Sequence, residues 1–116
     1  VVASNLFGDI LSDLSAIVTG SIGLAASANL DPTRRFPSMF EPVHGTAPDI
    51  VGRNVANPLA TMFSASMMLE HLGEAAASAA LEGALRRVLA SRSARTPDLG
   101  GNSSTRDVTA AVLACI

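Results

Sequence analysis

Glu41-Pro42-Val43-His44-Gly45-Thr46-Ala47-Pro48-Asp49 divides the 116-residue chain into two unlike parts. The stretch 41–57 holds Pro42, Pro48, Gly45 and Gly52, with Pro58 directly behind it, and is too broken for a regular element. Before it, residues 1–7 read as a buried strand bounded by Gly8. Residues 9–18 have helical spacing, with Ile10, Leu14 and Ile17 on one face beside Leu11 and Val18, and Gly20 ends the run. Residues 22–28 are a short strand or an extended connection, 29–35 a turn-rich loop around Asp31-Pro32, and 36–40 another short strand. After the broken stretch the pattern is helical. Leu59, Met62, Phe63, Ser66, Leu69 and Leu72 follow Pro58 at helical steps until Gly73, and the small Ala60, Ser64, Ala65 and Ser66 permit close packing. A second helix spans 74–92 with a core stripe of Leu81, Leu85, Val88 and Leu89 and an i,i+4 pair, Glu82 and Arg86. A loop at 96–102 contains Gly100-Gly101. Ser104 and Asp107 then form a capping-box variant opening a last helix with Val108, Val112 and Ile116 apolar. This is an α/β pattern ending in a run of helices.

Hydrophobic residues make up 48% of the chain and charged residues 16%, with a mean hydropathy of +0.38. Dominant disorder is excluded, because such a chain buries enough apolar surface to offset its ordering entropy. A membrane span is not expected, since every window of about 18 residues contains Gly, Pro or a charge. A net charge of −2 gives no electrostatic reason to bind nucleic acid, and four Phe with no Trp or Tyr leave few stacking platforms. The single Cys115 cannot form an intramolecular disulfide, and nothing marks it as reactive. Met67-Met68 reads as core filling and Arg34-Arg35 as a solvated loop. All eight basic residues are Arg, so neither lysine nor tyrosine is available as a proton carrier. With no targeting segment in view, the expected location is cytoplasmic.

Two clusters could carry chemistry. Asp9 and Asp13 in Asn5-Leu6-Phe7-Gly8-Asp9-Ile10-Leu11-Ser12-Asp13 stand one helical turn apart, which places their Cβ atoms roughly 5–6 Å apart on one face. Two hard oxygen ligands so spaced suit Mg²⁺ or Mn²⁺ and leave coordination positions for water and substrate. Acidic residues at a helix start also simply complement the dipole. In the broken stretch, Gly45 would let the backbone approach a phosphate, with the small Thr46 and Ala47 keeping that path open. Asp49 could accept hydrogen bonds from vicinal ribose hydroxyls and would repel a 2′-phosphate, selecting NAD over NADP. The bland alternative is an irregular surface loop with His44 an ordinary histidine. No Gly-x-Gly-x-x-Gly occurs, so a standard Rossmann site is not supported.

Taken together, these clusters, Gly23-Leu24-Ala25, Ser27-Ala28-Asn29, Phe40 to Ile50, Ala56-Asn57-Pro58 and Asp98-Leu99-Gly100-Gly101 resemble the isocitrate/isopropylmalate dehydrogenase family. The resemblance runs through practically the whole chain in the family's order. It is most similar to the tartrate dehydrogenase/D-malate dehydrogenase (decarboxylating) branch. It implies an α/β, isopropylmalate dehydrogenase-like open sheet fold that is not a Rossmann fold, here its C-terminal portion only. Residues 1–24 would end the metal- and dimer-side domain, and 25–116 would close the NAD-binding-side domain. By the same resemblance Asp9 and Asp13 match the family's Mg²⁺ or Mn²⁺ ligands, and Glu41 lies near the nicotinamide end of NAD. His44, Gly45, Thr46 and Ala47 would run along the adenosine portion. Asp49 stands at the position that separates NAD from NADP users, Asn57 matches an adenine contact, and Asp98 a further adenosine contact.

The implied chemistry is oxidation of a dicarboxylic 2-hydroxy acid, with hydride passing to NAD⁺, followed by loss of the 3-carboxylate. The family's substrate-binding arginines, catalytic tyrosine, catalytic lysine and a third metal-site aspartate lie upstream of this stretch. The lysine and that aspartate come from the partner subunit of a homodimer. Ala26 departs from the family's usual Pro at a turn border, with a small stability effect expected. The chain opens as if inside a strand already under way, and the expectation is the C-terminal part of a longer enzyme. Alone it would be inactive, with no catalytic residue of its own, and would lack most strands of its sheets. The alternative is a short non-catalytic nucleotide- or metal-binding module, or a remnant with only a packing role.

Overall fold

The computed structural model describes all 116 residues, the side chain of Thr19 excepted. The elements in chain order are α1 (Asn5–Thr19), β1 (Ala26–Asn29), β2 (Met39–Pro42), α2 (Leu59–His71), α3 (Ala75–Ser91) and α4 (Thr105–Leu113), with 3₁₀ turns at Ile22–Leu24, Pro48–Ile50 and Pro97–Leu99.

The first seven residues do not form the expected strand. Residues 1–4 have no regular structure, and α1 begins at Asn5, absorbing Leu6 and Phe7. A strand needs a neighbour to satisfy its backbone groups, and none of the described residues pairs with this one. A helix satisfies its own. Gly20 stops α1 with φ at 126°, its N–H reaching back to the Ala16 and Ile17 carbonyls. Only Ala16 of the described α1 side chains is buried, whereas Leu6 and Ile17 are each 68% exposed and Val18 87%. α1 packs chiefly against the Ile22–Leu24 turn. This projecting helix accounts for a radius of gyration of 14.9 Å, above the roughly 13 Å usual for this length.

β1 and β2 form a two-stranded antiparallel sheet with Ala26 opposite Pro42 and Asn29 opposite Met39. The second strand therefore lies later than the expected 36–40, and the expected irregular stretch loses Glu41 and Pro42 to it. The cause is local. Asp31 takes the Arg35 and Phe36 N–H groups at 2.9 and 2.8 Å, and Pro37 has none to offer, so pairing cannot start before Met39.

The core lies among the last three helices. Leu59, Ala84, Leu85, Val88, Ala94, Val108 and Val112 are buried together, with Leu24, Met62, Phe63 and Leu81 packed against them. Each large aliphatic side chain there contributes about 1.5–3 kcal/mol on burial. The small residues of α2 serve as anticipated. Ala60, Ser64 and Ser66 are buried, and Ser66 and Ser78 exchange side-chain-to-carbonyl hydrogen bonds of 3.2 and 2.9 Å across the α2–α3 seam. Met67 and Met68, read as core filling, are instead 38% and 39% exposed. Ile116 is likewise exposed, beyond the end of α4. The Ser104–Asp107 capping box forms in full.

Candidate functional site

A cleft of about 900 Å³ opens between the 44–57 loop, the Ser21–Gly23 corner, the Pro97–Leu99 turn and the start of α4. His44, Gly45, Thr46 and Ala47 form one wall, and Asn57 and Asp98 stand in it as well. The loop keeps its shape through successive turns: Ala47 accepts the Ile50 N–H at 3.1 Å, Pro48 the Val51 N–H at 3.3 Å, and Ile50 the Arg53 N–H at 3.1 Å. Ala47 enters this run with φ 42° and ψ 63°, a left-handed conformation that costs a non-glycine residue about 1–2 kcal/mol. Gly45 is exposed, and a Cβ placed there would meet no atom within 4 Å. Its backbone is open to a ligand. The far end of the loop is pinned to α4, where the Thr105 N–H bonds to the Asn54 carbonyl at 2.9 Å and the Thr105 hydroxyl to the Ala56 carbonyl at 2.6 Å.

Asp98 organises the inner wall. One carboxylate oxygen accepts the Ser21 hydroxyl at 2.5 Å and the Asn57 amide at 2.9 Å, and the other accepts the Thr96 hydroxyl at 2.5 Å. Partial burial pushes this carboxyl's pKa up, but hydrogen bonds from Asn57, Ser21 and Thr96 outweigh it and hold it below the ordinary value. The Asn57 carbonyl oxygen in turn accepts the Leu59 N–H at 3.0 Å, at the start of α2. Gly23 is pressed against this group: a Cβ on it would lie 2.8 Å from both Asn57 Cβ and an Asp98 oxygen. Glycine is required there by close approach.

The remaining candidates lie elsewhere. Glu41 sits on β2 opposite Ser27, exposed. Asp49 is exposed in the first turn of Pro48–Ile50, next to the cleft-lining Ala47 and Ile50 but not itself in the cleft wall. Asp9 and Asp13 are exposed on α1, and among the described residues neither carboxylate makes a hydrogen bond or ion pair. Among the described residues no group of three or more His, Cys, Asp or Glu side chains could enclose a metal. Two adjacent carboxylates are still the right donor type for a hard divalent cation, as part of a larger ligand set. Sequence reasoning missed Ser21, Thr96 and Arg106. Ser21 precedes Ile22-Gly23 and accepts the Gly23 N–H at 3.0 Å, a short polar cap that its place before a turn could have suggested. Arg106 lines the cleft from the first turn of α4.

The family model for isocitrate/isopropylmalate dehydrogenase matches residues 1–112. The chain is 56% identical over 117 residues to tartrate dehydrogenase/decarboxylase of Pseudomonas putida, covering 97% of this chain and 32% of that protein. It is 53% identical to D-malate dehydrogenase [decarboxylating] of Escherichia coli (strain K12), with the same coverage. Isocitrate dehydrogenase from Methylococcus capsulatus superposes with a TM-score of 0.88 at 43% identity, covering 96% of this chain and 32% of that one. The chain thus spans about a third of the length of the curated relatives it matches.

Proposed function

The chain belongs to the isocitrate/isopropylmalate dehydrogenase family, and on that footing we propose that it supplies the adenosine-side nucleotide wall and two metal ligands of an NAD-dependent, Mg²⁺- or Mn²⁺-dependent oxidative decarboxylase of a malate-like 2-hydroxy acid. Tartrate or D-malate is the preferred substrate, in keeping with the names of its relatives, and isopropylmalate the next. The observation that carries this reading is the cleft itself, whose wall joins His44, Gly45, Thr46 and Ala47 to Asn57 and Asp98 across more than forty residues of sequence.

In this reading each residue has a physical task. Gly45 leaves the backbone bare where a nucleotide would pass, and Thr46 and Ala47 add little bulk beside it. Asn57 and Asp98 shape the adenosine end. Asp49 takes ribose hydroxyls and repels a 2′-phosphate, and Glu41 lies toward the nicotinamide end. Asp9 and Asp13 offer two oxygens to a divalent cation from one helix face. When bound, NAD⁺ supplies the hydride acceptor and the cation supplies Lewis acidity for both the oxidation and the loss of carboxylate. The proton-transferring lysine and tyrosine must come from outside this chain, which contains neither. A homodimer fits the same reading, supported by the exposed apolar side chains of α1, and so does a cytoplasmic location. No helix among the described residues is long and apolar enough to cross a membrane.

The test uses a chimera in which this chain replaces the matching third of the Pseudomonas putida enzyme. Because a Cβ at position 45 meets nothing in the protein, Gly45→Val should leave the thermal midpoint of the chimera unchanged. It should weaken NAD⁺ binding by about tenfold or more, the effect of bulk at a close backbone approach. Unchanged NAD⁺ affinity would count against the nucleotide reading.

A further inference from the structure

We infer that Thr96 is a positioning residue of the cleft, acting through Asp98 on the Asn57 amide; the inference rests on the nucleotide reading above. The Thr96 side chain is completely buried and takes no part in the cleft wall. Any effect of its hydroxyl on a ligand must pass through what it touches, and it touches Asp98, to which it donates at 2.5 Å. The second Asp98 oxygen receives both Ser21 and Asn57, residues that line the cleft. A carboxylate is planar, so holding one oxygen from behind fixes the direction of the other. The Asn57 amide is thus held at both ends, its NH₂ by this oxygen and its carbonyl oxygen by the Leu59 N–H, and a shift of the carboxylate changes where the amide sits.

The Thr96 backbone is held independently of its hydroxyl, for its carbonyl accepts the Leu99 and Gly101 N–H groups at 3.0 and 3.1 Å. Removing the hydroxyl therefore frees one oxygen of the carboxylate, leaving Ser21 and Asn57 on the other, without unmaking the turn. Three segments distant in sequence, 21–23, 57–59 and 96–98, meet on this one acid. The residue behind it sets their mutual register.

The experiment compares Thr96→Val and Thr96→Ser in the chimera. Valine keeps the shape and removes the donor, whereas serine keeps the donor. We expect Thr96→Val to raise KM for NAD⁺ by about tenfold, as loss of a hydrogen bond to a charged group predicts, with kcat changed by less than about twofold, the signature of lost uniform binding. Thr96→Ser should restore KM to nearly that of the parent. Thr96→Ala, which adds no apolar volume, is the second variant should valine not pack, and carries the same expectation. Combining Thr96→Val with Asp98→Asn should raise KM no further than Asp98→Asn alone. An unchanged KM, an equal loss in kcat, failure of serine to rescue, or additive effects would each overturn the inference while leaving the nucleotide reading intact. A folded parent chimera that does not bind NAD⁺ would overturn both.

Discussion

Asp31 shows how much local order one half-buried carboxylate can impose. It accepts the Thr33 N–H and hydroxyl, the Arg35 N–H and the Phe36 N–H. The Thr33 hydroxyl and then the Phe36 N–H lower its pKa from 3.8 to about 2. A depressed carboxylate stabilises the fold above its unfolded pKa, and that contribution fades as pH falls from about 4 toward about 2. Asp31→Ala in the chimera should therefore lower the thermal midpoint at neutral pH, with the gap to the parent closing near pH 2; a gap independent of pH would contradict this. At Asp49 the consequence is functional. Asp49→Lys should reduce NAD⁺ use relative to NADP⁺ by about tenfold or more, by removing the repulsion of a 2′-phosphate and adding a cation for it. Unchanged preference, measured as the ratio of kcat/KM for the two nucleotides, would remove Asp49 from the role. The wall residues 44–47 were legible because glycine and small side chains beside a proline break the pattern visibly. Thr96 and Ser21 were not, because a hydroxyl's importance lies in which distant carboxylate it meets.

Among the elements, the presence and order of α2, α3 and α4 were legible. Pro58, Gly73 and the Ser104–Asp107 box punctuate them, and Leu59, Leu85, Val88, Val108 and Val112 of their apolar stripes lie in the buried core. Leu72 and Ile116 at the stripe ends are exposed. The strands were read less well. Residues 1–7 lack the neighbour a strand requires, and β2 starts at Met39 only because Asp31 and Pro37 use up the preceding backbone. Such side-chain-to-backbone competition does not appear in an apolar pattern. The helical core makes a direct prediction. Leu85 is fully buried between α2 and α4 neighbours, so Leu85→Ala should cost about 2–5 kcal/mol in chemical denaturation of the chimera. A loss below about 1 kcal/mol would mean that the core is not closed as described.

At the scale of the molecule, two features explain each other. The 20–116 region encloses a core and a cleft, while α1 stands out from it with its apolar side chains uncovered. It is the same helix that presents Asp9 and Asp13, and the proposed homodimer would cover its apolar face. On the proposed reading, the nucleotide wall is built within this chain and the metal end is shared. The absence of lysine and tyrosine agrees with that division of labour. The most direct measurement is turnover of the chimera with Mn²⁺, NAD⁺ and either tartrate or D-malate, alongside its Asp13→Asn variant. The account predicts NADH formation by the chimera and an activity lower by about 10–100-fold in the variant, the usual cost of a damaged metal site. A folded, dimeric chimera with no NAD⁺-dependent turnover, or one indifferent to Asp13→Asn, would contradict it.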